Sequence, residues 1–168
     1  MAKKNNTSEP TETSLLKQAI KRNAGSHSDA SLLWDQIFDL TSVLADRESQ
    51  FLTKYKLSRS RLRVLVLLNE EPKKCPSYLA ETLGITKASI TGLAESLSKD
   101  GLISASANSQ DRRSHTLSIT AKGKALLKKV VPGYYPKLSE SLGSLTKQDQ
   151  STLAQILQKW ISGIRKTA

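Results

Sequence analysis

The stretch of sequence that decides the fold spans residues 76–95 and reads PSYLAETLGITKASITGLAE. Two short segments within it carry apolar residues at helical spacing, and Gly84 lies between them. Glycine readily adopts the left-handed conformation that a sharp turn between two helices requires. The apolar positions that would face inward are Leu79, Ala80, Leu83, Ile85, Ile90 and Leu93. This spacing predicts two helices packed across a tight turn, which is a helix-turn-helix.

The second of these helices carries side chains suited to reading DNA. Thr86 is placed to cap its first turn, so Lys87, Ser89 and Thr91 would project away from the apolar anchors. Short polar and basic side chains fit the major groove, where the base edges are exposed. We add Ser77, at the start of the first helix, to the predicted DNA contacts. The alternative is an ordinary helix pair joined by a glycine turn, with no nucleic-acid partner.

A two-stranded hairpin is predicted directly after this helix pair. Leu117 and Ile119 alternate on its second strand and should face the core. A helix-turn-helix followed by such a hairpin is a winged helix. An arginine at the hairpin tip can enter the narrow minor groove, while a neighbouring carboxylate fixes its rotamer. The tip residues with this chemistry are Asp111, Arg112 and Arg113. The alternative for this tip is a solvated turn.

Helical patterns also precede the winged segment. Residues 29–55 carry apolar residues at steps of three and four, with one expected apolar position missing. This spacing predicts a long helix with a broad apolar face. Residues 58–69 are apolar nearly all round and predict a buried helix, with Ser58 placed to cap it. Residues 1–28 are largely polar and are predicted to be a partly disordered extension. The fold class is therefore mainly α with a small β-hairpin wing.

Two further helices are predicted after the hairpin. Thr120 is placed to cap the first, and Pro132 with Gly133 should break or kink it. Thr146 and Asp149 resemble a capping box in front of the last helix.

The apolar faces of the terminal helices are wider than one small domain can cover. We therefore expect them to be buried against the same helices of a second copy of the chain. On this basis residues 29–55 and 121–168 form a helical dimerisation region, and residues 56–120 form the winged helix-turn-helix DNA-binding domain.

The charge of the chain favours an anionic partner. The 168 residues carry a net formal charge of +11, and residues 56–129 alone hold 14 basic and 6 acidic side chains. Such an excess favours nucleic acid, although a basic surface kept for solubility is the alternative. A single cysteine excludes a disulfide within the chain, and one cysteine with two histidines supplies too few ligands for a zinc site. No cofactor is predicted. No apolar run approaches a membrane span, so we expect a soluble, cytoplasmic protein.

A few residues carry weaker functional signals. Cys75 follows two lysines at a helix start, which favours a low thiol pKa and an oxidant sensor; the alternative is an inert thiol. Trp34, Phe38 and Arg63 are candidates for lining a ligand cavity, against the alternative of aromatic dimer core and a surface arginine. His115 is read as a packing or phosphate-facing residue. No nucleophile with an orienting base and carboxylate is present, so we predict no enzyme.

Taken together, these segments resemble the MarR family of bacterial transcription regulators. The residues that carry the resemblance are Leu79–Thr86, Ile90–Thr91, Leu97, Gly101–Ile103, Asp111–Arg113 and Leu117–Gly123. The resemblance covers about residues 29–165. It implies a homodimer that reads a palindromic operator in double-stranded DNA, with Arg113, oriented by Asp111, in the minor groove. It also implies a small-molecule or oxidant signal that lowers DNA affinity.

The sequence departs from the family at Gly92, where many relatives carry an arginine, and at Pro132 and Pro136 in a helix that is usually continuous. The predicted function is a dimeric, sequence-specific DNA-binding regulator, a repressor released by a small molecule of the aromatic or phenolic class. The alternative is an architectural or RNA-binding protein without a ligand switch.

Overall fold

The computed structural model describes residues 29–107 and 115–167. The helices and strands in chain order are α1 (Asp29–Thr53), α2 (Arg59–Glu70), α3 (Pro76–Leu83), α4 (Lys87–Lys99), β1 (Ile103–Ala107), β2 (His115–Ile119), α5 (Ala121–Ser139), a 3-10 turn (Glu140–Leu142) and α6 (Lys147–Thr167). The predicted fold class, mainly α with one hairpin, is confirmed. Contacts divide the chain into two units, with the boundary inside α1 between Asp46 and Arg47.

The core of the second unit lies between the winged segment and the helices that flank it. Helix α2 runs through its centre, and Val64, Leu65 and Leu68 on this helix are fully buried. The other fully buried apolar side chains are Leu52, Leu79, Ile90, Leu97, Leu117 and Val130. The predicted buried helix is therefore buried along one face only, since Arg63, Val66 and Asn69 on α2 are exposed.

Four helices begin at the side-chain caps that the sequence predicts. The hydroxyl of Ser58 accepts the backbone N–H of Arg61 at 3.3 Å, and Thr86 and Thr120 cap α4 and α5 in the same way. Thr146 and Asp149 cap each other's backbone N–H groups at 3.0 and 3.2 Å. Each such cap contributes about 1 kcal/mol to stability.

The hairpin packs its second strand against the core. The strands pair antiparallel, with Ile103 opposite Ile119, and Leu117 and Ile119 are buried as predicted. The backbone of Lys74 adds a short third segment, since it exchanges hydrogen bonds of 2.9 and 3.2 Å with Leu117. The root of the wing is therefore tied to the entry of helix α3.

Helix α5 approaches the hairpin through Gly123. A Cβ at this position would lie 2.3 Å from the carbonyl oxygen of Leu102 and 2.7 Å from Ile119 Cγ1. The Leu102 carbonyl also accepts the N–H of Thr120 at 3.0 Å. Only glycine allows this close approach of helix and strand.

Helix α5 does not break at Pro132 and Gly133, because it continues through Pro132 and Pro136. Both prolines are exposed. Packing secures the helix on either side: Val130 is fully buried, and the hydroxyl of Tyr134 is hydrogen-bonded to Glu48. Tertiary contacts thus outweigh the local cost of proline, about 3 kcal/mol in a helix interior.

Exposed apolar side chains are most numerous on two helices, α1 and α6. In the described part of the first unit, residues 31–46 of α1, the exposed positions are Leu32, Leu33, Trp34, Phe38, Leu40 and Val43. On α6, in the second unit, they are Ile156, Leu157, Ile161 and Ile164, between 42% and 57% exposed. No helix in the part of the chain that the structure describes is long and apolar enough to cross a membrane. The predicted extension at residues 1–28 lies outside the described residues.

Candidate nucleic-acid interface

The turn between α3 and α4 has the predicted left-handed glycine. Gly84 adopts φ of 65° and ψ of 39°, and the N–H of Ile85 donates to the carbonyl of Ala80 at 3.0 Å. No atom lies within 4 Å of a Cβ built on Gly84, so the conformation rather than lack of space requires glycine. The turn sets the angle at which α4 leaves the core.

The first turns of α4 present the predicted contact residues to solvent. Lys87, Ser89 and Thr91 are exposed, while Ile90 on the opposite face is fully buried. The Thr91 hydroxyl donates to the Lys87 carbonyl at 2.9 Å, and the Ser89 and Thr86 hydroxyls lie 2.8 Å apart. The structure therefore brings these four predicted residues together at one exposed helix end.

The start of α3 holds Ser77 beside Cys75. The Cys75 thiol lies 3.1 Å from the Ser77 hydroxyl, and this hydrogen bond, more than any other contact, lowers the thiol pKa. The backbone N–H of Tyr78 acts in the same direction. The Lys74 ammonium lies 2.9 Å from Glu71 and 4.3 Å above the Tyr78 ring, and Glu71 rather than Cys75 has the larger effect on the Lys74 pKa. Redox activity of Cys75 stays a prediction.

The tip of the wing lies outside the described residues. Asp111, Arg112 and Arg113 fall between the two strands in sequence, in the range 108–114, so their predicted DNA contacts stay predictions. His115 is exposed at the start of β2.

The ligand residues predicted from the sequence fall into both units. Trp34 and Phe38 lie on α1 with ring centroids 5.7 Å apart. Arg63 lines a cavity of about 780 Å³ between α2 and α5, and its guanidinium donates to the Leu83 carbonyl at 3.1 Å. Trp34 and Phe38 are not among the residues that line this cavity. Its apolar wall comprises Leu62, Val66, Leu67, Leu127, Val131, Tyr134 and Tyr135.

The sequence analysis missed a buried carboxylate, which is hydrogen-bonded to Tyr134 of this wall. Glu48 is 2% exposed and accepts hydrogen bonds from the Arg59 guanidinium and the Tyr134 hydroxyl. The sequence signal for Glu48 is the one position at which the apolar spacing of α1 is interrupted. Among the described residues, no cluster of His, Cys, Asp or Glu side chains is arranged to hold a metal ion.

These features have a counterpart among known proteins. The profile of the MarR family matches residues 57–115, from the start of α2 through the helix-turn-helix to the first residue of β2. This part of the chain is therefore similar to the MarR family.

Members of the MarR family resemble the chain over most of its length. It is 27% identical over 127 residues to the transcriptional repressor YetL of Bacillus subtilis, covering 74% of this chain and 76% of YetL. It is 26% identical over 153 residues to the transcriptional repressor MprA of Escherichia coli, covering 88% and 87%. A crystal structure of a MarR-like transcription regulator from Bacillus cereus superposes with a TM-score of 0.73 at 25% identity, over 80% and 97% of the two chains.

These similarities confirm the resemblance to the MarR family and the winged-helix architecture. The two curated relatives are named as transcriptional repressors, and no catalytic activity is indicated for them.

Proposed function

We propose that this chain is a dimeric, sequence-specific DNA-binding regulator that represses transcription and is released from its operator by a small molecule. The observation that carries the proposal is the exposed end of α4, where Lys87, Ser89 and Thr91 stand on a helix anchored by a fully buried Ile90. A helix held in this way can place short polar side chains against base edges in a major groove.

The charge distribution supports DNA as the partner. Residues 56–129 carry 14 basic and 6 acidic side chains, so most of the positive charge lies in and beside the winged segment. Lysine and arginine contacts to phosphates supply most of the sequence-independent affinity for DNA and make binding sensitive to salt. A regulator of this kind acts where the chromosome is, which in a bacterium is the cytoplasm.

Exposed apolar surface supports a dimer. Helix α6 leaves Ile156, Leu157 and Ile161 between 42% and 57% exposed on one amphipathic helix. Exposed apolar stripes of this kind mark protein contacts, and a second copy of the chain would place the same stripe opposite. Two winged domains related by a two-fold axis would then read a palindromic operator.

The cavity between α2 and α5 supports an aromatic effector. Its volume of about 780 Å³ lies within the usual range for small-molecule sites. Apolar side chains form most of its wall, and Arg63, Lys124 and Lys128 lie at its edge. An aromatic acid would place its ring against the apolar wall and its carboxylate near these cations.

Fluorescence anisotropy on duplexes from the chain's own upstream region tests the proposal, with unrelated duplex and single-stranded RNA as competitors. We expect binding to one fragment that survives both competitors and weakens when hydroxybenzoates are added. Lys87→Ala should reduce this affinity, whereas Lys159→Ala on α6 removes the same charge and should not. Equal binding to every duplex and to RNA would instead support an architectural or RNA-binding protein.

A further inference from the structure

A second cavity, of about 520 Å³, lies where four helix ends meet. The end of α1, the first turn of α2, the end of α4 and the first turns of α5 contribute its walls. It is formed entirely within the second unit, and its lining residues differ from those of the cavity beside Arg63.

Positive charge dominates the lining of this basic cavity. One acidic residue, Asp100, lines it. The cations that line it are Lys56, Arg61, Lys99, Lys122 and Lys129. The formal excess is therefore four positive charges, which is more than a single carboxylate would neutralise. Two helix N-termini, those of α2 and α5, add partial positive charge through their first turns.

Arg61 is the most enclosed of these cations. Its side chain is 16% exposed and forms an ion pair with Asp100. Its Nε is buried and has no hydrogen-bond acceptor among the described residues. A ligand in the cavity would contact the exposed part of this side chain, whose orientation Asp100 fixes.

The remaining cations keep their charges available. The Lys122 ammonium donates to the backbone carbonyl of Asp100 at 2.6 Å, and no acidic side chain in the described ranges forms an ion pair with Lys56, Lys99 or Lys129. These cations lower the pKa of the Asp100 carboxyl below its usual value. Arg61 has the largest effect, followed by Lys122 and Lys56.

Lys56 reaches the cavity from an unusual backbone position. It follows α1 with φ of 54°, in the left-handed region that glycine or asparagine adopts more easily. Its N–H closes the helix end by donating to the Thr53 carbonyl at 3.0 Å. The chain thus places a lysine at a position where backbone geometry favours a smaller residue.

The lining of the cavity also includes apolar side chains. They are Tyr55, Leu102, Ala125 and Leu126. A ligand that fits this lining has a multiply charged group and an apolar or aromatic part.

DNA phosphates are poorly placed to be this ligand. Lys99 and Asp100 stand at the end of α4, about 18 Å along the helix axis from Lys87 at its start. The start of α4 carries the proposed base contacts, so the cavity lies at the opposite end of that helix.

We propose that the basic cavity binds a phosphorylated small molecule, with its phosphate groups among the lysines and its organic part against Tyr55 and Leu126. Lysine ammonium groups bind phosphate as point charges, and the guanidinium of Arg61 is already oriented by Asp100. The proposal does not rest on the proposed function, because binding is measured directly on the protein alone.

Isothermal titration calorimetry on the full chain at constant ionic strength tests it, with inorganic pyrophosphate, ADP and adenosine as probes. We expect saturable binding of pyrophosphate and ADP, tighter binding of ADP, and no binding of adenosine at the same concentrations. The double variant Lys56→Gln/Lys129→Gln should weaken ADP binding about tenfold. The matched control Lys54→Gln/Lys159→Gln removes two charges at exposed positions that line neither cavity, and should change ADP binding less than about threefold.

Three results would overturn the proposal. The first is no saturable binding of either phosphate probe, and the second is an equal loss of affinity in both double variants, which would show a general charge effect. The third concerns DNA: if a short random-sequence duplex displaces ADP, and Lys56→Gln/Lys129→Gln weakens duplex binding as much as ADP binding, the cavity contacts the DNA backbone. Circular dichroism on all variants confirms that each is folded.

Discussion

The hydroxyl of Tyr134 donates a hydrogen bond to the carboxylate of Glu48, which joins the middle of α5 to the last turns of α1. The other oxygen of this carboxylate accepts the guanidinium of Arg59 at the start of α2. Glu48 is 2% exposed, whereas the side chain of Arg59 is 61% exposed. The Glu48 carboxylate thus connects three helices. Its two hydrogen-bond partners offset the free-energy cost of burying a carboxylate away from water.

Glu48→Ala should lower the free energy of unfolding by about 2–3 kcal/mol, because it removes two hydrogen bonds to a charged group and leaves a gap in the core. Arg59 can be solvated after the loss, which keeps the cost below that of a fully buried ion pair. Urea unfolding measures the difference. Asp46→Ala, at an exposed position on the same helix, is the control and should stay within about 0.5 kcal/mol of the parent. Equal stabilities of the two variants would contradict a structural role for the Glu48 contacts.

Tyr134→Phe should change how stability depends on pH in alkali. Burial, and then the Glu48 carboxylate, raise the pKa of Tyr134 to about 12 in the folded protein, against about 10 in the unfolded chain. The folded state therefore keeps a proton that the unfolded state releases, so this contribution is complete below about pH 10 and is lost between about pH 10 and 12. Urea midpoints of the parent should fall more steeply over that interval than those of Tyr134→Phe. Parallel curves would show that Tyr134 titrates normally.

The sequence revealed features that are encoded locally. The caps at Ser58, Thr86 and Thr120 and the left-handed Gly84 depend on residues within a few positions of one another, so their patterns are legible without a structure. The helix-turn-helix and its exposed polar face follow from the same short-range rules.

Contacts between segments that are far apart in sequence could not be predicted from such local patterns. The gap in the apolar stripe of α1 marks Glu48, but nothing in the sequence pairs it with Tyr134, which lies 86 residues away. The basic cavity likewise gathers lysines from separate helices, from Lys56 to Lys129. The same reason explains why α5 does not break at Pro132, where core packing of the helix overrides a local rule.

Gly123→Ala and Gly92→Ala should act in opposite directions. A Cβ on Gly123 would lie 2.3 Å from the Leu102 carbonyl oxygen, so α5 or the hairpin must shift, at a cost of about 1–3 kcal/mol or more. No atom lies within 4 Å of a Cβ on Gly92, which is exposed inside α4, so alanine should stabilise the protein by about 0.5–1 kcal/mol. Thermal unfolding of both variants checks the pair, and a Gly123→Ala protein as stable as the parent would contradict the close approach.

Ile156→Asp/Ile161→Asp should convert the proposed dimer into a monomer. Both residues are exposed on the apolar stripe of α6, at 57% and 44%, and a carboxylate at either position would be desolvated in an interface. Light scattering on the purified protein measures the mass. Gln155→Asp/Gln158→Asp adds the same charge at exposed polar positions on the same helix and should leave the mass unchanged. If the double variant Ile156→Asp/Ile161→Asp keeps the mass of a parent dimer, the dimer interface lies elsewhere.

Arg113→Ala should weaken operator binding by about 1–3 kcal/mol if this arginine enters the minor groove as the wing sequence predicts. Arg112→Ala removes the same charge from the neighbouring position, and by electrostatics alone both variants would lose a similar, salt-dependent amount. A larger loss for Arg113→Ala that persists as salt is raised, and that is greater on the operator than on unrelated duplex, would identify a groove contact. Asp111→Asn should reproduce part of this loss, because the carboxylate is predicted to hold the arginine rotamer. Equal losses in Arg112→Ala and Arg113→Ala on every duplex would instead assign both arginines to phosphates, and sequence discrimination would then rest on the exposed start of α4.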